Sequence, residues 1–142
     1  MDALKISLSG LDVEWRRLEI IANNLANMNS TRTENGEPFH PMRLVSGPAQ
    51  SFGATLAASG ARHDAAGAQV TGVEQTPDGL RRVYEPNHPH ADAEGFVTYP
   101  NVDHAGEMAL MIKTSRAYEA NLAAFQIAQD MYGRALDMGR QS

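Results

Sequence analysis

The chain has 142 residues, which suits one modest domain or one subunit of an assembly. Its composition is 42% hydrophobic with seven Met and no Cys, so disulfides, thiolate metal sites and cysteine nucleophiles are excluded. A formal net charge of -5 leaves no basic cluster for nucleic acid or anionic lipid.

The first thirty residues carry the clearest pattern. Leu4, Leu8, Leu11, Trp15, Leu18, Ala22 and Leu25 alternate at steps of four and three, a heptad seam on one stripe of a helix. Gly10 weakens that helix by up to ~1 kcal/mol relative to Ala. Asn23, Asn24, Asn27 and Asn29 follow, and Asn tolerates the left-handed backbone that closes helices, so the helix is expected to stop near Met28. With an acid at Asp2 and no uninterrupted apolar run before a small-residue cleavage site, this stretch does not read as a secretory signal. No segment approaches the roughly 18 apolar residues needed to span a bilayer, so no direct membrane insertion is expected.

From Ser30 to about Pro100 the pattern is β-like. Asn35-Gly36 signals a turn, and Met42 to Ser46 reads as a short strand. Residues 47–68, rich in Ala, Gly and Ser, hold too little apolar surface to offset their ordering entropy and read as a flexible loop. Gln69–Gln75, the turn Thr76-Pro77-Asp78-Gly79 and Leu80–Glu85 together predict a β-hairpin over 69–85. Phe96 to Tyr99 is a last strand, stopped by Pro100.

The final third is helical again, with Asp103 as N-cap and Glu107 in the first turn. Met108, Met111, Ser115, Tyr118, Leu122, Phe125, Gln129, Tyr132 and Leu136 form a second heptad stripe. Ala117, Ala120, Ala124, Ile127, Met131 and Met138 form a further apolar line, so this helix expects more than one neighbour. That line is covered either by the β segment or by other subunits. The fold class is mainly α with a small β insert. Helices within 1–30 and 101–142 pair as a coiled-coil-like antiparallel hairpin and form one discontinuous core around an insert at 31–100.

No catalytic constellation is present: no GxSxG, HExxH, P-loop or dinucleotide glycine pattern occurs. His88-Pro89-His90 with Asp92 and Glu94 invites comparison with a metal site, but a third ligand is not obvious and a solvated loop is the expectation. His40, His63 and His104 are scattered. No metal, cofactor or catalytic residue is assigned.

Certain strings carry a resemblance. Ala22-Asn23-Asn24-Leu25-Ala26-Asn27 followed by Thr31 resembles the end of the N-terminal helix in bacterial flagellar rod and hook axial proteins. Val83-Tyr84-Glu85-Pro86, Tyr99-Pro100-Asn101-Val102-Asp103 with Glu107-Met108, and Ser115-Arg116-Ala117-Tyr118-Glu119-Ala120-Asn121 are similar to motifs of the proximal-rod members of that family. The resemblance covers about 1–31 and 80–139; residues 32–68 match nothing closely, and Trp15 is bulky for a family seam. It implies a non-enzymatic structural subunit of the basal-body rod that crosses the periplasm and transmits torque to the hook. Such a subunit polymerises with copies of itself and other rod proteins, and the flagellar type III apparatus exports it without a cleaved signal. Subunit contacts are then expected at Leu4, Leu8, Leu11, Trp15, Leu18, Leu25, Met108, Leu122, Phe125, Ile127 and Met131. Asn23, Asn24 and Asn27 are either helix-end residues or cross-subunit hydrogen bonders; Arg116, Tyr118 and Asn121 are weighed in the same way. The competing reading is a monomeric helical-hairpin module that binds a partner through the 86–95 loop.

Overall fold

In the computed structural model, which describes residues 2–49 and 67–140, two long helices bracket two small sheets. Helix α1 spans Asp2–Ala26 and helix α2 spans His104–Arg140. Between them lie β1 (Met42–Pro48), β2 (Ala68–Gln75), β3 (Leu80–Tyr84) and β4 (Phe96–Pro100). Of the loop expected at 47–68, residues 50–66 lie outside the described residues, while its first and last residues belong to β1 and β2.

The helices run antiparallel. Asn24 Nδ2 donates to Glu107 Oε1 at 3.2 Å near one end, and Gly10 faces Asn121 near the other, the same fourteen-residue interval on each helix. A Cβ at Gly10 would sit 2.9 Å from the Asn121 amide, so glycine allows the helices to close at this level. Helix α2 has 37 residues against 25 for α1, so α1 runs out opposite about residue 129 and the last dozen residues of α2 project some ~18 Å beyond it. Residues 129–140 are exposed throughout.

The buried line of α1 is not the leucine stripe. It passes through Ser7, Val13, Ile21 and Asn24, with Gly10, Glu14 and Arg17 beside it. Leu8 and Trp15 are 58% and 54% exposed, and Leu4, Leu11, Leu18 and Leu25 are half-buried on the flank. Apolar periodicity passes over this line because Asn24 and Arg17 on it are polar and, with nearby Ser9, anchor the sheet. Asn24 Nδ2 donates to Met42 O at 2.8 Å and its Oδ1 accepts from Met42 N at 3.0 Å. Arg17 donates to Ser46 Oγ at 2.8 Å, and Ser9 Oγ accepts from Ala68 N at 3.0 Å. These bonds settle β1 and β2 along the flank of α1 opposite Leu8 and Trp15.

The strand pairing differs from the expected hairpin over 69–85. β2 pairs antiparallel with β1, in the register Met42↔Gln75 to Pro48↔Ala68 with an irregularity at Val45/Ser46, and β3 pairs antiparallel with β4, Leu80↔Pro100 to Tyr84↔Phe96. The turn at 76–79 exists but joins two sheets: Thr76 N donates to Pro41 O at the end of one ladder, and Asn101 N to Gly79 O at the end of the other. The reason is the turn residue. Pro77 holds φ near ~-65°, which excludes the I′ and II′ turns whose twist suits a two-residue hairpin. The remaining turn types splay the flanking strands. Asp78, at φ 53°, completes the turn, and each strand finds its partner elsewhere.

The β3–β4 ribbon carries its own small core. Val97, 1% exposed, lies opposite Val83, and the 86–92 segment folds back over that face with His88 against the rings of His90 and Tyr99. On the other face Tyr84 packs edge-on against Phe96, and the Arg82 guanidinium sits 4.7 Å from the Phe96 ring centre.

Candidate assembly interface

The flank of α1 that the sheet does not cover bears Leu8 and Trp15, with Tyr118 from α2 packed against the Trp15 ring at 6.2 Å between centres. Lys5, Leu8, Leu11, Asp12, Trp15 and Tyr118 enclose a shallow groove of about 580 Å³ between the two helices. Trp15 Nε1 donates to Glu19 Oε1 at 3.1 Å, which holds the indole along the helix rather than in the core. Leu122 continues this flank on α2 and is 38% exposed, while Asn121 and Phe125 are half-buried toward α1. Met108 is exposed, and so is Arg116. Ile127 and Met131 lie on the outer back of α2, 61% and 67% exposed. The β1–β2 sheet rests on α1 and leaves the second apolar line of α2 open to solvent.

The three asparagines separate. Asn24 is 1% exposed and fully engaged within the chain. Asn27 donates to Asn23 O at 3.0 Å and to Asn23 Oδ1 at 2.8 Å, and accepts from Ser30 Oγ at 3.2 Å, so it closes the helix end. Asn23 remains exposed, its side chain bonded to Asn27.

On the sheet side lies a second hollow of about 540 Å³, enclosed by α1, α2 and β1. Its walls include Ile20, Ile21, Met42, Leu44 and Leu110, and at its base sit Glu107 and Thr114. Glu107 Oε2 and Thr114 Oγ1 are buried with no hydrogen-bond partner among the described residues. Desolvation pushes the Glu107 carboxyl above its ordinary range, against the lowering effect of the Asn24 bond, with nearby Asp103 adding to the rise. Capping and the helix dipole place Glu107 in the first turn of a helix; nothing local marks its carboxylate as buried, because part of its cover comes from β1.

The 86–95 loop is occupied with holding itself. His90 Nδ1 lies 2.8 Å from Thr31 Oγ1, and His88 Nδ1 accepts from His90 N at 3.0 Å. Asp92 accepts from Phe96 N at 2.7 Å and Glu94 N at 3.1 Å and pairs with Arg82. The Phe96 amide holds its carboxyl below the usual carboxylate range against the opposing effect of desolvation, with the Arg82 guanidinium and the Glu94 amide adding to the lowering. Among the described residues no group of three or more His, Asp or Glu converges on a common point, and no helix is long and apolar enough to cross a membrane.

Comparison with known proteins accounts for these features together. Residues 4–32 match the family model "Flagella basal body rod protein", and residues 93–138 match "Flagellar basal body rod FlgEFG protein C-terminal". The chain is 34% identical over 145 residues to the flagellar basal-body rod protein FlgC of Bacillus subtilis, covering 97% of each chain. It is 36% identical over 142 residues to FlgC of Escherichia coli O157:H7, covering 99% of this chain and 98% of the relative. With FlgC of Salmonella typhimurium it shares 33% identity over 144 residues, again covering 99% and 98%. The two matched models fall on α1 with its asparagine-rich end and on α2, the parts that pack against each other, and the full-length relatives extend the match through both sheets. The chain therefore belongs to the FlgC family of flagellar basal-body rod proteins, and it is a structural subunit of that rod.

Proposed function

We propose that the chain builds the proximal part of the rod through its two terminal segments, 1–30 and 101–142. In this reading they act as one unit of tube wall, while 31–100 fills the outer surface. The observation that carries this is the apolar flank shared by α1 and α2, where Leu8, Trp15 and Leu122 stay open beside a well-packed inner line. Large apolar side chains left exposed in a contiguous strip mark a surface meant to be covered. Burying a leucine there contributes ~1.5–3 kcal/mol, so repeated contacts stiffen a polymer against twist. Copies of this chain and other rod proteins supply the cover, and the rod so formed crosses the periplasm and carries torque from motor to hook. The chain reaches that site through the flagellar export apparatus without signal cleavage, and it performs no catalysis of its own. Met108, Tyr118, Phe125, Ile127 and Met131 join the contact, with Asn23, Arg116 and Asn121 supplying polar partners at its edges. The alternative, a monomeric binding module using the 86–95 loop, is not favoured, since His88, His90 and Asp92 of that loop are bonded within the chain.

The test is a Leu8→Ala/Trp15→Ala double variant. Both side chains are more than half exposed, so the isolated chain should lose less than ~1.5 kcal/mol of stability. Cells carrying it should lack rods and filaments and fail to swim. Normal swimming with the variant present in basal bodies would refute the assignment of this flank.

A further inference from the structure

The β3–β4 ribbon is hydrogen-bonded to the rest of the chain at two places. One is the pair of connections at 76–79 and 101–103. There Asn101 N donates to Gly79 O at 2.7 Å and Asn101 Nδ2 to Asp78 O at 3.0 Å, which ties the two crossings side by side. The other is His90, whose Nδ1 lies 2.8 Å from Thr31 Oγ1 in the segment that follows α1. Among the described residues this is the one hydrogen bond from 80–100 to any residue before Thr76.

His88 is what puts His90 there. Pro89 between them has no N–H and a fixed φ, so the next donor along the chain, His90 N, turns back onto His88 Nδ1 at 3.0 Å. A backbone N–H only donates, so His88 Nδ1 carries no proton and the neutral ring holds its proton on Nε2. The two imidazoles stand edge to face, 5.3 Å between centres.

We propose that this histidine pair is an acid-operated latch: a proton taken up at His88 Nδ1 withdraws the acceptor from His90 N and releases His90 from Thr31, so the hold of the ribbon on the segment after α1 depends on pH. Imidazole is the side chain whose charge changes between about pH 8 and pH 5. The switch lies in His88 and not in His90. A proton on His90 leaves Nδ1 a donor that Thr31 Oγ1 accepts, so that bond survives. A proton on His88 sets a donor against a donor, and with both rings charged it adds repulsion at 5.3 Å. The other groups around His88 come from the strands. Tyr99 of β4 lies 6.2 Å away between ring centres and donates to Glu85 Oε2 at 2.9 Å, and the Arg81 guanidinium of β3 sits 5.7 Å from the Tyr99 ring. Glu85 favours the charged ring, while Arg81 and a charged His90 oppose it. Asp92 and Arg82 pair with each other on the opposite face of the ribbon. The latch is therefore complete while His88 is neutral and is lost as pH falls. It lies within one chain, so it stands apart from the assignment of any assembly contact.

The test is nuclear magnetic resonance on the full-length chain at pH 7.5 and pH 5.5. The His90 amide should lose about fivefold or more of its protection against exchange at the lower pH, after correction for the intrinsic rate. The amides of Glu85 and Asp92, bonded to Gly95 O and Phe96 O, should keep theirs. Contacts between the His90 ring and the Thr31 methyl should fade together with the His90 protection. His88→Asn places an amide oxygen where Nδ1 stands and does not titrate, so it should keep the protection and the contacts at both pH values. Unchanged His90 protection in the parent chain, an equal loss in His88→Asn, or a loss shared by Glu85 and Asp92 would each overturn the latch. The parent chain gives a second reading that needs no variant: at pH 7.5 the ring nitrogen shifts of His88 should show the proton on Nε2, and a proton on Nδ1 would refute the proposal.

Discussion

Asn24 shows how much a single side chain decides here. Its amide bonds both backbone groups of Met42 and the Glu107 carboxylate, joining α1, β1 and α2 at one point. Replacing it by Ala strands a buried donor and acceptor, each worth roughly 1–3 kcal/mol. We expect Asn24→Ala to lower unfolding free energy by at least ~2 kcal/mol in denaturant titration. Its neighbour Glu107 has the opposite character. Its folded pKa lies above the unfolded value, so its contribution is fully present below that unfolded value and is lost as pH rises through the folded pKa. Glu107→Gln, which keeps an acceptor for Asn24, should therefore raise the isolated chain's unfolding midpoint at pH 7.5 relative to the parent and change it little at pH 4. A gain of equal size at both pH values would contradict this origin. Gly67 is a third such position, since a Cβ there would fall 1.9 Å from Ser9 Oγ, the atom that holds Ala68 N. Gly67→Ala should weaken the attachment of β2 to α1, seen as faster amide exchange at Ala68.

At the scale of elements, the strands show local sequence and tertiary context in conflict. The run 69–85 has the alternation and the turn of a hairpin, and residue by residue the strands are where periodicity puts them. Their partners are not, because Pro77 sets a turn that splays them and because α1 holds β1 in place for β2. Exchanging Pro77-Asp78 for Asn-Gly would install the turn that the hairpin prefers. We expect that double variant to lose hydrogen-exchange protection in β1, as β2 is drawn toward β3. The helices show a milder form of the same conflict. Both were legible as long helices with heptad spacing, and the antiparallel pairing follows from chain connectivity. The face each helix buries was not legible, since the inner line of α1 includes Arg17 and Asn24 and is recognisable only once the strand they anchor is in place.

For the molecule as a whole, the mismatch in helix length separates stability from assembly. The projecting residues 129–140 are exposed throughout, so they add little to the folded monomer. Removing 129–142 should shift the thermal midpoint by no more than ~4 °C, the equivalent of about 1 kcal/mol in a domain near this size. The same truncation should prevent filament formation, scored by electron microscopy of cells and by swimming.

What the sequence determined by itself is whatever depends on spacing and composition along the chain: the two long helices, the strand segments, the absence of cysteine, and the motifs that point to the rod family. These are local quantities, set by side-chain periodicity, capping and composition. The tertiary structure alone decided which strand pairs with which, that Leu8 and Trp15 of α1 face outward, and that one Glu107 carboxylate oxygen is buried with no hydrogen-bond partner among the described residues. Each of those depends on where a distant segment comes to rest, and the free energy that places it is shared between residues far apart in sequence.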